Sequence, residues 1–205
     1  MNVRIWDLPV RIGHWALAAS VAIAWLTAEQ EAWRRVHIVA GSVAGAVVLF
    51  RLLWGFVGSR SARFRTFVRS PAAAVAELRD HLAGHAAPRA THTVIGGWAV
   101  IGLLGLALGA AITGVLNYRY DEIETLAELH EALAEGLLAL IVVHLGGVMV
   151  MSLLERQNLP RSMLTGRATA PAGAEVRNYP LAALTLIGWT TAIVWALLVW
   201  LGIAA

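Results

Sequence analysis

The sequence has 205 residues, of which 59% are hydrophobic and 14% charged. Soluble domains carry about 45–50% apolar and about 25% charged residues, so this composition excludes an ordinary soluble enzyme and points to one bundle of membrane spans. All 16 basic residues are arginine, set against 13 acids for a net charge of +3, and there is no cysteine. Basic loops between apolar runs suit a membrane face better than nucleic acid, and the lack of cysteine excludes disulfides, thiolate metal sites, iron–sulfur ligands and covalently attached c-type haem.

A helix needs about 20 residues to cross about 30 Å of hydrocarbon. Five runs are long enough: Val10–Ala28, Val36–Val57, Thr93–Leu116, Leu129–Leu153 and Leu181–Ala204. The first lacks a small-residue cleavage motif before Glu29, Gln30 and Glu31 and is predicted to stay as a span. Between the second and third runs, Ser70-Pro71 opens and Gly84 closes a predicted short helix with Val75, Leu78 and Leu82 on one face, an amphipathic helix for the membrane surface. The segment 168–175 reads as mobile linker.

The connections alternate in charge. Thirteen arginines fall on one side and only Arg34, Arg35 and Arg119 on the other, which predicts a cytoplasmic N-terminus and an external C-terminus. With the acids included the inner face carries +8 and the outer face −5, so an outer partner meets an acidic surface.

Four histidines lie inside spans, where an ionisable ring is costly and marks a functional candidate. His37 and His130 lie near the outer ends of their spans, whereas His14 and His144 lie in the inner half. Fourteen residues separate His130 from His144, which puts both on nearly one helix face about 21 Å apart along the axis. Two pairs at two depths suit bis-imidazole ligation of two haems, with the fourth span shared. Low surfaces beside the ligands come from Gly41 and Gly45 after His37, from Gly146 and Gly147 after His144, from Gly13 beside His14, and from Gly105 and Gly109 in the third span. Zinc or copper would need a third ligand that neither pair has nearby. His81 and His85 share a metal-like spacing, but Gly84 between them favours loop histidines, and His92 reads as a membrane-edge residue.

The runs Trp6 to Trp15, His37 to Gly41, Phe50 to Gly58, Ala62-Arg63-Phe64 and Leu129-His130-Glu131, with Arg156 to Leu159 and Met163 to Gly166, resemble the bacterial cytochrome b561 family, which includes b-type cytochrome subunits of nickel–iron hydrogenases. The resemblance covers roughly 1–167 and implies an all-α transmembrane bundle, a four-helix di-haem core, in which His14 pairs with His144 and His37 with His130. To that core the sequence adds a cytoplasmic linker over 168–180 and a fifth helix over 181–205, whose Trp189, Trp195 and Trp200 are expected against a partner or lipid. Arg34, Arg35 and Arg119 are candidates to neutralise propionates of the outer haem, and Arg11 and Arg51 those of the inner one.

The resemblance implies a multi-pass protein of the bacterial inner membrane that carries electrons between quinone and a periplasmic c-type cytochrome, hydrogenase or other redox protein. The two haems b would be held non-covalently by paired histidines. Two other classes stay open at this point, a superoxide:quinone oxidoreductase and a non-redox membrane subunit. The acidic outer face opposes superoxide unless Arg34 and Arg35 reverse it locally. Membrane lipid is an expected partner, and homo-oligomerisation is left open.

Overall fold

The computed structural model describes residues 1–83 and 93–204. In chain order its elements are β1 (Asn2–Arg4), α1 (Leu8–Thr27), α2 (Arg34–Val57), α3 (Pro71–Leu82), α4 (Val94–Arg119), α5 (Glu124–Leu154), α6 (Leu159–Thr165), β2 (Arg167–Thr169) and α7 (Pro180–Trp200). Five of these helices, α1, α2, α4, α5 and α7, are long and apolar enough to cross a membrane. They follow the five runs read from hydropathy. The largest boundary difference is at α5, whose 31 residues span about 46 Å. Its first turns, bearing Glu124 and Glu128, therefore project beyond an apolar slab about 30 Å thick.

Packing follows chain order: α1 lies along α2, α2 along α4, and α4 along α5, while α7 lies outside this core against α2 and α1. At mid-span Val48, Leu104, Ala107 and Leu137 form a buried cluster, with Leu17, Val21 and Ile141 packed on it, so all four core helices meet there. Small residues bring the helices together, as at Gly45, where an added Cβ would lie 2.9 Å from Ala111 Cβ. On α7, the Trp189 indole donates to the Ala46 carbonyl at 3.0 Å, while Trp195 and Trp200 remain about half exposed. Of the three tryptophans, then, Trp189 packs on this chain's own α2.

At the end of the bundle where α1 and α7 begin, the chain departs from the expected linker. β1 pairs antiparallel with β2, Val3 opposite Ala168. Beyond β2, Ala170 and Val176 are buried, and Ala170 packs with Ile5, Trp6, Val10 and Ala62. Backbone here meets backbone: the Ala170 amide donates to the Met1 carbonyl at 3.1 Å, the Val176 amide to the Arg4 carbonyl at 2.9 Å and the Leu8 amide to the Asn178 carbonyl at 3.0 Å. Asp7 is fully buried, and its carboxylate caps α1 by accepting from the Val10 amide at 2.8 Å and also accepts from the Trp54 indole at 3.0 Å.

The short helix α3 forms where the Ser-Pro start places it, with Ser70 Oγ accepting from the Ala73 amide. Glu77 ties it to the bundle by accepting from the Val94 amide at the start of α4. Val75, on its expected membrane face, is half exposed. Gly84, His85, Arg89 and His92, and the side chains of Leu78, His81 and Leu82, lie outside what is described.

Candidate functional site

His37 lies in the first turn of α2, and His130 in the second turn of α5. The antiparallel course of α1 and α2 brings His37 beside the last turn of α1, where helix carbonyls lack intrahelical donors. His37 Nδ1 lies 2.8 Å from the Ala24 carbonyl oxygen there. His130 Nδ1 lies 2.8 Å from the Ala110 carbonyl oxygen of α4 and 3.4 Å from Thr113 Oγ1. A carbonyl only accepts, so each ring carries its proton on Nδ1, which leaves Nε2 as a lone-pair donor on the opposite side. The two rings stand nearly perpendicular, at 81°, with centroids 6.0 Å apart. Two imidazoles on opposite sides of one metal ion, each at about 2 Å through a ring nitrogen, have centroids about 6 Å apart. The pair thus fits bis-imidazole ligation of the haem expected at this level.

The second pair lies nearer the other surface. His14 sits in α1 with its ring edge-on to Trp15 at 5.0 Å, within electrostatic reach of His144 on α5. His14 Nδ1 is buried without a hydrogen-bond partner. An imidazole sunk in an apolar bundle with a buried nitrogen unsatisfied is costly unless a ligand takes up the ring. The unsatisfied His14 ring and His144 therefore mark a second candidate site at the other level of the bundle.

The glycines divide by what faces them. Gly41, Gly105, Gly146 and Gly147 face open space, as a low surface beside a flat macrocycle would. Gly45, expected to line the outer site, is instead used to seat α4 against α2, because Ala111 occupies the space over it. Gly109 likewise receives Leu133 of α5.

The arginines are less uniform. Arg51, in α2, stacks its guanidinium 5.0 Å from the Phe64 ring centroid, and one of its terminal nitrogens is buried without a partner. The buried Asp7 carboxylate lies within its electrostatic reach, and the unbonded nitrogen remains as a donor for a further anion. Arg11 donates to the Leu164 carbonyl, which ties α1 to α6. Arg34 stacks 5.1 Å from the Tyr118 ring and pairs with Glu31 at 3.6 Å, so part of its charge is already answered. Arg119 lies over Tyr120 and Trp200, at 5.5 Å and 5.8 Å. Arg35 is exposed.

Three participants are invisible to a reading of side-chain types. The carbonyls of Ala24 and Ala110 orient the rings by backbone alone. Gly114, one turn beyond Ala110, lets His130 reach that carbonyl, since a Cβ there would lie 2.8 Å from His130 Cε1. A small residue directly after Thr113, at the depth of His130, is the one signal that could have pointed to it. Among the described residues no group of three or more His, Cys, Asp or Glu is arranged to hold a metal ion. No curated protein and no solved structure matches the chain, whereas the model of one protein family, described as prokaryotic cytochrome b561, matches residues 5–166.

Proposed function

The chain belongs to the prokaryotic cytochrome b561 family of membrane b-type haem cytochromes, and from that membership we propose that it carries electrons between the quinone pool and a periplasmic redox protein, such as a c-type cytochrome or a hydrogenase. Two b haems would serve as the relay, one between His37 and His130 and one between His14 and His144. The observation that carries this reading is the outer pair: two rings 6.0 Å apart, each with Nδ1 against a backbone carbonyl at 2.8 Å.

When bound, haem b supplies a one-electron iron couple. The protein's own groups do the rest. Ala24 and Ala110 hold the Nδ1 protons, so His37 and His130 present Nε2 in one tautomer and raise its donor strength. Held by two histidines, a haem at each site would favour electron transfer over binding of oxygen or substrate at the metal. The layer of Val48, Leu104, Ala107 and Leu137 separates the two levels and keeps water out between them. Arg51, already within electrostatic reach of the Asp7 carboxylate, would offer its unbonded terminal nitrogen to a propionate on the inner side, and Arg34, Arg35 and Arg119 cluster at the outer end, with Arg11 beside α6.

The arginine distribution supports an N-terminus in the cytoplasm and a C-terminus outside, and the acidic outer face supports a basic partner. The test is haem content. His130→Ala and His144→Ala each reduce the haem-to-protein ratio by about half, and the double variant loses reducible b-haem from its visible spectrum. Full haem retention in the double variant overturns the assignment.

A further inference from the structure

Beyond the residues matched by the family, the segment leading into α7 builds a cleft with the start of the chain. It is a shallow, open cleft lined by Arg4, Glu175, Val176, Arg177 and Asn178. Its walls are fixed by the backbone, since Val176 donates to the Arg4 carbonyl and Leu8 to the Asn178 carbonyl. Arg4 precedes α1 by four residues and Asn178 precedes α7 by two, and both helices are membrane spans. The cleft therefore sits where lipid headgroups sit.

Its chemistry is specific. Arg4 Nε is buried and finds no acceptor, while Asn178 Oδ1 is buried and finds no donor. Arg177 is exposed, held with its guanidinium carbon 5.7 Å from the Tyr179 ring centroid. Two guanidinium groups and the Glu175 carboxylate leave the cleft with one net positive charge, the complement of one phosphodiester. Inorganic phosphate would answer the arginines, but at neutral pH it carries between one and two negative charges, more than the single positive charge of the cleft. A phosphodiester carries one negative charge for the two arginines, and hydroxyl groups on its headgroup donate to the exposed Glu175 carboxylate.

We propose that this cleft binds the headgroup of phosphatidylglycerol, with the phosphodiester on the guanidinium groups of Arg4 and Arg177 and the glycerol hydroxyls donating to the Glu175 carboxylate. Such a lipid would anchor the joint between the core and the fifth helix. Basic pockets at the ends of spans bind anionic lipids in this way.

The test uses the full chain with its haem in nanodiscs of phosphatidylcholine, with or without phosphatidylglycerol, and follows Tm by tryptophan fluorescence. Phosphatidylglycerol is expected to raise Tm by about 3 °C in the parent. The double variant Arg4→Gln with Arg177→Gln loses that rise, and Arg177→Gln alone, at an exposed position that leaves the fold intact, loses at least half of it. Arg79→Gln, on the exposed face of α3, keeps it and so separates the cleft from general attraction to an anionic surface. An undiminished rise in Arg177→Gln overturns the proposal, as does an equal rise from millimolar inorganic phosphate in phosphatidylcholine discs.

Discussion

Gly114 of α4 and His130 of α5 exclude each other's growth: an added Cβ on Gly114 would lie 2.8 Å from His130 Cε1 and 3.0 Å from Nδ1. The glycine sits one turn after Ala110, whose carbonyl holds that same Nδ1 at 2.8 Å. A methyl group at 114 would cover the acceptor and push the ring off it.

Gly114→Ala is therefore expected to disturb the outer site and spare the inner one. A redox titration of the reduced-minus-oxidised spectrum should show one of two components shifted or lost, with the other unchanged. Gly188→Ala, where nothing lies within 4 Å of the new Cβ, should leave both components in place.

Asp7→Ala removes the cap of α1 and strands the Trp54 indole N–H inside the protein. A lost cap costs about 1 kcal/mol and a buried unpaired donor about 1–3 kcal/mol, so the variant should lose about 2–4 kcal/mol of stability. Because Trp54→Phe removes the donor without leaving a stranded group on the indole side, the double variant should be less damaged than the sum of the two. A double-mutant cycle by thermal denaturation in detergent reads that coupling.

Arg51→Gln removes a cation whose buried terminal nitrogen has no partner in the protein. A positive charge near a haem favours the reduced iron, so its loss should lower the midpoint of one haem by on the order of 50 mV. The outer component should not move, since Arg51 lies toward the opposite end of α2 from His37. Equal shifts in both components would contradict the inner placement of Arg51.

The acidic end of the bundle, proposed to face outward, offers a kinetic test. Glu29, Glu31, Asp121, Glu122, Glu124 and Glu128 are all exposed. Association with a basic c-type cytochrome should slow about tenfold between low and physiological salt, and Gln at Glu124 and Glu128 should flatten that dependence. Stopped-flow electron transfer at several ionic strengths measures both. Association indifferent to salt would remove the electrostatic argument for this class of partner.

Much of this arrangement could be read from residue identities because membrane spans are written in one variable. Hydropathy located all five, and a ring such as His37 or His144 stands out against Val, Leu and Ala. Depth alone brought His37 and His130 to one level, where their rings lie 6.0 Å apart. What could not be read involves groups without side-chain identity. The acceptors for those rings are carbonyls of two ordinary alanines, and the role of Gly114 depends on a neighbour 16 residues away on another helix. The pairing of Asn2–Arg4 with Arg167–Thr169 joins three-residue strands from opposite ends of the core, too short for an alternating pattern to show. Gly45 went the other way: in sequence it matches Gly41, and only the position of Ala111 tells them apart.

The mid-span cluster of Val48, Leu104, Ala107 and Leu137 has an energetic consequence for the two-haem reading. Its aliphatic side chains offer no proton a path along with the electron. Each transfer between the two histidine levels would move an uncompensated charge through part of the membrane field, where a full crossing is worth about 2.3 kcal/mol per 100 mV. The rate and direction of exchange would then respond to membrane voltage, and turnover in sealed vesicles would itself build or dissipate a potential.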